Sequence, residues 1–403
     1  MGFTARCFQT GYFRIGFAHL IVATSLILSG CQFELPNAYI YSEGNAVDFQ
    51  LDLKAPKEAT ITDVTVAESQ WGHLQIEDAQ TLSFNFAPSS TLIASAANSS
   101  NASTLKKETI PYTVTYSDGS IKEGDIFIKT EIGAKATSKD STPLNLLSMK
   151  GTHNSYHVHP PLLFHPSHAY SHPALYEQLD RDGVRAFELD VHKNPFTGQF
   201  EIYHIQGIDQ VSTCYTLERC LDHLKLWSDH NENHEPVFIW LEVKAFSGGA
   251  PIHNLDALDA FLFEQMGEKM LSPDEFKQSY SSVRERIETV GWPTVDDSRG
   301  KFIFVLLNGS DYMEGYTHGL QNIDGRAMFP RVEQDQFNSG WAAFAKGSVS
   351  NDEAMALAKS LGIMTAANAC SASTNAEDCA EQLAAGVNAG INMIKTDDSG
   401  LVF

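Results

Sequence analysis

Acidic, amide and basic side chains recur within or directly after four apolar segments in the second half of this 403-residue chain. In chain order they are His153, Asn154, Glu188, Asp190, His192, His204, Glu242 and Lys244. Because side chains alternate between the two faces of a β-strand, Glu188, Asp190 and His192 share one face of the second segment. Glu242 and Lys244 share a face of the fourth segment in the same way. The spacing predicts that carboxylates and imidazoles from separate strands meet at one site.

Three carboxylates within otherwise apolar strands each need a partner, because an unpaired buried charge is too costly to persist. Internal salt bridges are one interpretation, for example between Glu242 and either Arg185 or Lys244. The other is an oxygen-rich site for a hard divalent ion, Ca2+ or Mg2+ rather than a soft metal. Its ligands would be Asn154, Glu188, Asp190 and Glu242. Two histidines at neighbouring strand ends would then supply a proton donor and a proton acceptor near neutral pH.

These segments belong to residues 144–403, where strand-like apolar runs alternate with longer helical ones. Candidate strands are 144–149, 184–191, 201–205, 237–243, 302–307, 362–366 and 391–395. Candidate helices are 175–181, 217–227, 255–266, 273–290, 352–361 and 378–388. This alternation predicts an α/β fold, a complete or distorted (β/α)8-type barrel, in which chemistry gathers at the C-terminal ends of the strands.

Residues 31–135 have a different pattern, which predicts a separate all-β domain. Turn signals such as Asp118-Gly119 divide short alternating runs at 46–53, 61–67, 81–86, 112–116 and 121–130. We expect an immunoglobulin-like sandwich here, with 89–104 as a loop and 136–143 as a polar linker to the barrel. This domain has no catalytic constellation, so we expect it to space or dock the barrel relative to a membrane.

Residues 1–30 have the composition of a signal peptide. They carry two arginines and no acid, and the apolar stretch 17–28 is too short to span a bilayer. The sequence Leu28-Ser29-Gly30-Cys31 resembles the bacterial lipobox, in which the cysteine is acylated and becomes the mature N-terminus. An ordinary signal peptide or a core helix is the alternative. With Gln32 next, the resemblance implies a lipid anchor at Cys31 in the bacterial cell envelope, at the outer membrane.

The cysteines also indicate an oxidising compartment. If Cys7 is removed with the signal peptide and Cys31 is acylated, four cysteines remain, in two pairs that are each close in sequence. We expect the disulfides Cys214–Cys220 and Cys370–Cys379. A metal site built from all four thiolates is the alternative, but neither pair has CxxC spacing.

The net charge of the chain restricts the classes of partner that it can bind. The chain has 28 Lys and Arg against 50 Asp and Glu, a formal charge of −22. Proteins that read nucleic acid gather cations to neutralise phosphates, so a nucleic-acid partner is not expected. Contact with a phosphate or an anionic membrane would need a local device: a covalent lipid, a metal, or a few placed cations.

Five motifs of residues 144–397 together carry a family resemblance. They are Gly-Thr-His-Asn-Ser-Tyr at 151–156, Glu-Leu-Asp-Val at 188–191, Tyr-His at 203–204, Leu-Glu-Val-Lys at 241–244 and Gly-Trp-Pro-Thr at 291–294, with Asp209, Ser212, Cys214, Cys220 and Trp227 between the third motif and the fourth. In this order they resemble bacterial Ca2+-dependent phosphoinositide-specific phospholipase C.

The resemblance implies metal-assisted cleavage of a phosphodiester, with a phospholipid or small phosphodiester as substrate. It implies that His153 and His204 are the acid/base pair, that Lys244 neutralises a phosphate oxygen, and that Asp397 lines the substrate pocket. Ca2+ would be held by Asn154, Glu188, Asp190 and Glu242. The inositol 2-hydroxyl would attack phosphorus, diacylglycerol would leave, and a cyclic inositol phosphate would form.

Two features leave alternatives open. Eukaryotic relatives place the second catalytic histidine in a His-Gly-His pattern, whereas this chain has His204-Ile205-Gln206; we favour His204, with His192 as the alternative and otherwise a substrate contact. A stretch rich in histidine and proline, from His157 to Pro173, predicts an irregular lid over the barrel, with a zinc site as the alternative.

Two other functions fit parts of the same pattern. One is a phosphodiesterase for water-soluble glycerophosphodiesters, which would use the same barrel and metal set. The other is a non-catalytic surface lipoprotein that binds partners through its β-domain.

Overall fold

The computed structural model describes residues 38–42, 44–51, 53, 59–97, 104–132, 140–244, 255–308, 310–349 and 353–401. The predicted signal peptide and the lipid-bearing Cys31 lie outside these residues. Within these ranges, no helix combines the length and the apolar composition that a membrane span requires. The chain divides into two units at residues 139 and 140, and each is described by itself.

Two β-sheets form the N-terminal unit. Its elements are β1 (Ala38–Ser42), β2 (Val47–Gln50), β3 (Ile61–Val66), β4 (Gly72–Asp78), β5 (Ser83–Pro88), α1 (Ser90–Ala97), β6 (Thr104–Tyr116) and β7 (Ile121–Ile132). One sheet has the order β1-β7-β6-β3 and the other β2-β5-β4. Alternate residues of both sheets, among them Phe84, Phe86, Val114 and Ile126, share one apolar core. The predicted loop at 89–104 instead contains α1, whose backbone N–H at Leu92 donates to Ser89 Oγ at 3.2 Å.

Eight parallel strands close the barrel of the second unit. The strands after residue 140 are β8 (Met149–Thr152), β9 (Ala186–Lys193), β10 (Phe200–Ile202), β11 (Val237–Val243), β12 (Phe302–Leu306), β13 (Met328–Val332), β14 (Phe344–Gly347), β15 (Met364–Asn368) and β16 (Met393–Thr396). The barrel order is β8-β9-β11-β12-β13-β14-β15-β16, and β16 pairs with β8 to close it. Strand β10 pairs antiparallel with β9 outside the closed ring. The predicted α/β barrel is confirmed.

Helices cover several of the connections between the barrel strands. They are α2 (Leu175–Asp180), α3 (Leu217–Asp229), α4 (Asp256–Met266), α5 (Pro273–Lys277), α6 (Val283–Val290), α7 (Ser310–Tyr316), α8 (Glu353–Ser360) and α9 (Ala376–Asn388). The last residues of the predicted linker already belong to this unit, because the backbone N–H of Val295 donates to the carbonyl of Thr142 at 3.0 Å.

Successive side chains of β9 point to opposite faces of the strand and lie in two different environments. Phe187, Leu189 and Val191 belong to an apolar cluster that also contains residues of α3 and α4. The residues between them, Glu188 and Asp190, share the opposite face of the strand. The strand is buried almost throughout, which is typical of a parallel strand covered on both sides. The two acidic residues therefore face the inside of the barrel.

Candidate active site

Three carboxylates meet inside the C-terminal half of the barrel. Glu188 and Asp190 belong to β9, and Glu242 belongs to the neighbouring β11, where it lies directly opposite Asp190 in the strand register. One oxygen of each side chain lies within 4.8 Å of the others, close enough to bind one ion together. The predicted convergence of acids from separate strands is present.

Asp190 has the least compensated charge of the three. Its side chain is fully buried, and Lys244 Nζ lies 3.1 Å from Oδ2. Neither carboxylate oxygen has a hydrogen bond of good geometry to another described residue. Burial, together with the negative charges of Glu242 and Glu188, raises the pKa of Asp190 to about 6 although Lys244 opposes the shift. Buried, unsatisfied carboxylate oxygens beside two further acids fit a hard cation such as Ca2+.

Glu188 is compensated by cations from across the barrel. Its Oε2 accepts hydrogen bonds from Lys395 Nζ of β16 and, at 3.2 Å, from Lys346 Nζ of β14. Burial alone would raise the pKa of Glu188, but the two ammonium groups and His153 hold it well below its usual range. Gly151 makes room for this pair, because a Cβ there would lie 2.7 Å from Lys395 Cγ.

Part of the salt-bridge interpretation also holds. Lys244 Nζ donates to Glu242 Oε1 at 2.6 Å, so this pair exists beside the carboxylate group. Arg185, the other suggested partner of Glu242, instead lies 3.3 Å from Glu235 Oε2. Salt bridges and the candidate ion site thus share the same acidic residues.

His153 is oriented by a carboxylate that follows the last strand of the barrel. It directly follows β8, and its Nδ1 lies 2.8 Å from Asp397 Oδ1. Its Nε2 lies 3.6 Å from Glu188 Oε1, at the edge of the carboxylate group. Burial opposes protonation of His153, but the hydrogen bond to Asp397 and the charge of Glu188 outweigh it and raise the pKa of the imidazole. Asp397, predicted to line the substrate pocket, also accepts the backbone N–H of Ala372 at 2.9 Å.

Asn154, the predicted amide ligand, is the next residue in the chain. Its side chain is buried, and its backbone has a φ of +43°, in the left-handed region that Asn tolerates better than most residues. The loop is fixed to β9 beside it, because Ser155 and Glu188 exchange two hydrogen bonds of 2.9 Å. This turn directs His153 from the end of β8 toward Glu188 of β9, and it keeps Asn154 buried beside it.

The two candidates for the second catalytic histidine have different environments. His204 is partly exposed, and its Nδ1 lies 2.8 Å from Asp209 Oδ2. His192 is buried, stacks on Tyr203 with ring centroids 3.8 Å apart, and donates from Nε2 to the Tyr203 carbonyl at 2.9 Å. Burial lowers the pKa of His192 to about 4, so it is a neutral imidazole near neutral pH. These contacts give His192 a packing role and leave His204 accessible.

No role was assigned from the sequence to three residues of the site, of which Asp209 was recognised only as part of the family resemblance. Lys346, Lys395 and Asp209 pair with Glu188 or His204, yet none was singled out as a site residue. An alternating pattern around Lys346 could have suggested a lysine inside the barrel, but β14 has only four residues.

Both predicted disulfides are confirmed. Cys214–Cys220 joins the segment before α3 to its first turn, with Cα atoms 5.0 Å apart. Cys370–Cys379 joins the loop after β15 to α9, with Cα atoms 4.7 Å apart. The first bridge begins five residues beyond Asp209, so it fixes the chain that follows the loop of His204 and Asp209 to α3.

A family model described as phosphoinositide phospholipase C, Ca2+-dependent, matches residues 197–399. The chain belongs to this family. Members of the family are phosphodiesterases, and Ca2+ is the metal of this phospholipase C. The carboxylate group around Asp190 is the part of the barrel whose chemistry fits that ion.

Solved structures of such phospholipases C resemble the chain at low identity. The Ca2+-dependent phosphatidylinositol-specific phospholipase C from Streptomyces antibioticus is 17% identical, with a TM-score of 0.51, over 64% of this chain and 95% of that chain. The Ca2+-dependent phosphoinositol-specific enzyme from a Pseudomonas species is 18% identical, with a TM-score of 0.48, over 65% and 93% of the two chains. The first likeness supports the barrel fold. No curated protein sequence matches the chain.

Proposed function

We propose that this phospholipase C cleaves the phosphodiester between diacylglycerol and the inositol headgroup of a phospholipid, with His153 and His204 as its acid/base pair. The observation that carries the assignment is the position of His153, held by Asp397 on one ring nitrogen and facing the three-carboxylate group with the other. An oriented imidazole beside a cation site is the arrangement that proton transfer during phosphoryl transfer requires.

Asn154, Glu188, Asp190 and Glu242 would hold the Ca2+ ion. When bound, Ca2+ supplies positive charge that stabilises the phosphorane-like transition state and makes the inositol 2-hydroxyl more acidic. Lys244 lies at the rim of the same acids, so its ammonium group is available to a phosphate oxygen. Glu188 keeps its position without the ion, because Lys395 and Lys346 hold it.

Proton transfer follows from the two imidazoles. His153 Nε2 takes the proton of the inositol 2-hydroxyl, and Asp397 stabilises the imidazolium through Nδ1. The hydroxyl oxygen forms its bond to phosphorus in line with the glycerol oxygen. His204, oriented by Asp209, gives a proton to the glycerol oxygen as the P–O bond breaks, and the product is an inositol cyclic phosphate.

Exposed apolar side chains near the same end of the barrel support a lipid substrate. They lie in the segments that follow β8, β9 and β10 and are Leu162, Leu163, Phe164, Phe196, Ile205 and Ile208. Exposed apolar residues grouped around a polar site are typical of a surface that meets a membrane. We call this set the apolar rim; it favours a lipid over a water-soluble glycerophosphodiester.

Phosphorus NMR of the products tests the proposed function. Phosphatidylinositol vesicles and glycerophosphoinositol would each be incubated with the protein, in Ca2+ and in EDTA. We expect an inositol cyclic phosphate from the vesicles in Ca2+ alone, and no turnover by His153→Ala. Faster cleavage of glycerophosphoinositol would support the soluble-substrate alternative, and unchanged turnover in EDTA would contradict the role of Ca2+.

For the N-terminal region we propose an immunoglobulin-like sandwich that spaces the barrel from a lipid anchor at Cys31 in the outer membrane. The lipobox-like sequence before Cys31 supports the anchor, and seven described strands in two sheets with a common core support the sandwich. Labelling with a palmitate analogue in cells tests it. We expect label in the membrane fraction for the natural chain and none for Cys31→Ser.

A further inference from the structure

Three imidazoles converge on one buried carboxylate beside the proposed phosphodiesterase site. Asp209 is fully buried, and His157 Nε2 lies 2.9 Å from its Oδ2. His204 Nδ1 lies 2.8 Å and His168 Nδ1 lies 3.4 Å from the same oxygen. A single carboxylate oxygen therefore faces three ring nitrogens that belong to two separate loops.

The proton on His157 makes this arrangement unusual. Its Nδ1 lies 3.0 Å from the carbonyl oxygen of Tyr170, and a carbonyl can only accept, so Nδ1 carries a proton. In the neutral ring Nε2 then has no proton, and its lone pair points at the oxygens of Asp209 at 2.9 and 3.0 Å. A lone pair facing a carboxylate is repulsive unless a proton or a metal cation lies between them.

The surroundings favour a metal cation. A ligating histidine almost always donates its other ring N–H to a carbonyl or a carboxylate, as His157 does to Tyr170. His168 Nδ1 is buried and has no hydrogen-bond partner among the described residues, although it lies next to Asp209. Ligands of a tetrahedral Zn2+ ion, each about 2.0–2.1 Å from it, stand roughly 3.3 Å apart. The separations of 2.8–3.4 Å around Asp209 Oδ2 are near that value.

We infer that His157, His168, His204 and Asp209 form a second metal site, for a borderline divalent ion of which Zn2+ is the example to test. Three imidazoles and one carboxylate are the donor set that such ions prefer, whereas Ca2+ prefers oxygen alone. Among the described residues, the ligand atoms of His157, His204 and Asp209 lie within 4.8 Å of one another, and Glu188, Asp190 and Glu242 form a second, distinct set. His168 adjoins the first set through Asp209, with its Nδ1 3.4 Å from Oδ2.

Such an ion would fasten the histidine-rich lid to the loop after β10. His157 and His168 come from the lid, while His204 and Asp209 come from the loop between β10 and the Cys214–Cys220 bridge. The ion would occupy Nδ1 of His204 and leave Nε2 for the substrate side. Zn2+ binding would thus position the ring of His204 through its own ligand bond rather than through Asp209 alone.

Metal binding by the full chain, without a histidine tag, tests this inference independently of turnover. The protein would be stripped with a chelator and titrated with Zn2+ alone in a calorimeter, and Co2+ loading would be followed by visible absorption. We expect one Zn2+ per chain that excess Ca2+ does not displace, and the absorption bands of tetrahedral Co2+. His168→Ala should weaken Zn2+ binding by about tenfold or more.

Two control variants make the result specific. His159→Ala removes a histidine of the same lid whose Nδ1 contacts the Pro160 carbonyl rather than Asp209, and it should leave Zn2+ affinity unchanged. Asp190→Asn alters the carboxylate group and should also leave it unchanged. His157→Gln, checked for folding by near-UV circular dichroism, should lose binding as His168→Ala does.

Equal Zn2+ affinity in His168→Ala and the natural chain would overturn the inference. So would loss of Zn2+ binding in Asp190→Asn, because the ion would then belong to the carboxylate group. A chain that binds Zn2+ in this pattern but cleaves no phosphodiester would contradict only the proposed function.

Discussion

His153 Nδ1 lies 2.8 Å from Asp397 Oδ1, although 244 residues separate the two in the chain. His153 directly follows β8 and Asp397 directly follows β16, and these two strands pair to close the barrel. Barrel closure thus joins an imidazole to the carboxylate that orients it. The geometry that we propose for catalysis by His153 therefore depends on the correct register of this final strand pair.

Asp397→Asn tests that relationship directly. The substitution keeps the size of the side chain but removes the charge that raises the pKa of His153, so the pKa should fall. We expect kcat to fall by about 10²–10⁴-fold, since an unoriented imidazole is a poor proton acceptor. The pH profile of kcat/KM should show the His153 limb shifted to lower pH.

Asp398→Asn is the matched control. Asp398 is exposed, and its Oδ1 accepts the backbone N–H of Gly400 at 2.8 Å. The variant should keep nearly all activity and the natural pH profile. An equal loss in both variants would mean that the C-terminal turn as a whole, rather than the Asp397 carboxylate, supports His153.

The second proton carrier is tested by comparing His204 with His192. His204→Asn removes an accessible ring that Asp209 orients, and we expect kcat to fall by about 10²–10⁴-fold. His192→Gln keeps a side-chain N–H for the Tyr203 carbonyl, so we expect most of the activity to remain. Steady-state kinetics of both variants, with thermal melting as a folding check, would identify the second proton carrier. A larger loss of kcat in His192→Gln than in His204→Asn would assign that role to His192.

The carboxylate group was predictable because its residues interrupt apolar strands. Glu188, Asp190 and Glu242 each occupy a position where an apolar strand has no other reason to carry a charge, and alternation assigns their face. Predicted strand 237–243 has the bounds of β11. The first predicted strand, 144–149, lies too early, because Leu144–Leu146 forms a 3-10 turn and β8 begins at Met149.

The cations of the site were harder to find for two physical reasons. Strands β13 and β14 escaped prediction, since one contains Pro330 and the other has four residues, too few for a period to show. Because β14 was not predicted, Lys346 was not recognised as a residue of a barrel strand. Lys395 lies in a predicted strand, but its partner Glu188 belongs to a strand that is not its neighbour in the sheet. Contacts across the interior of a barrel form only when the sheet closes on itself. The periodicity of a single segment carries no information about that closure.

Ca2+ affinity should depend on pH through Asp190. The pKa of this buried carboxyl is about 6 in the metal-free chain, above its ordinary 3.8, and a ligand must be deprotonated to bind. Calorimetric Ca2+ titrations should therefore show constant affinity above the pKa and a loss approaching about tenfold per pH unit below it. The metal-free fold should lose stability as pH rises from the unfolded to the folded pKa, because the folded state binds more protons there.

Asp190→Asn separates this carboxyl from its neighbours. The amide cannot ionise, so the variant should bind Ca2+ weakly and without the pH slope of the natural chain. A natural slope retained in Asp190→Asn would assign the titrating group elsewhere.

Lys395→Met should destabilise the barrel by about 3–5 kcal/mol, because it leaves the buried Glu188 carboxylate without its closest cation. Lys346→Met is the comparison. Its ammonium is partly exposed and lies farther from Glu188, at 3.2 Å, so the loss should be smaller. Urea unfolding at constant pH measures both, and equal values would show that Lys395 contributes no more than its neighbour.

The apolar rim should matter for bilayers and not for dispersed substrate. Leu163 and Phe164 follow β8 and are exposed, Phe164 to 60%. Their replacement by Ala removes apolar area that a membrane would bury, at about 25 cal/mol per Å². We expect the double variant to sediment less with phosphatidylinositol vesicles and to cleave vesicle substrate more slowly. Its kcat/KM on a short-chain monomeric analogue should be unchanged.

Leu146→Ala is the control for loss of surface hydrophobicity alone. Leu146 is exposed and lies before β8, at the other end of that strand. Equal vesicle binding by the double variant and the natural chain would remove the rim from substrate access.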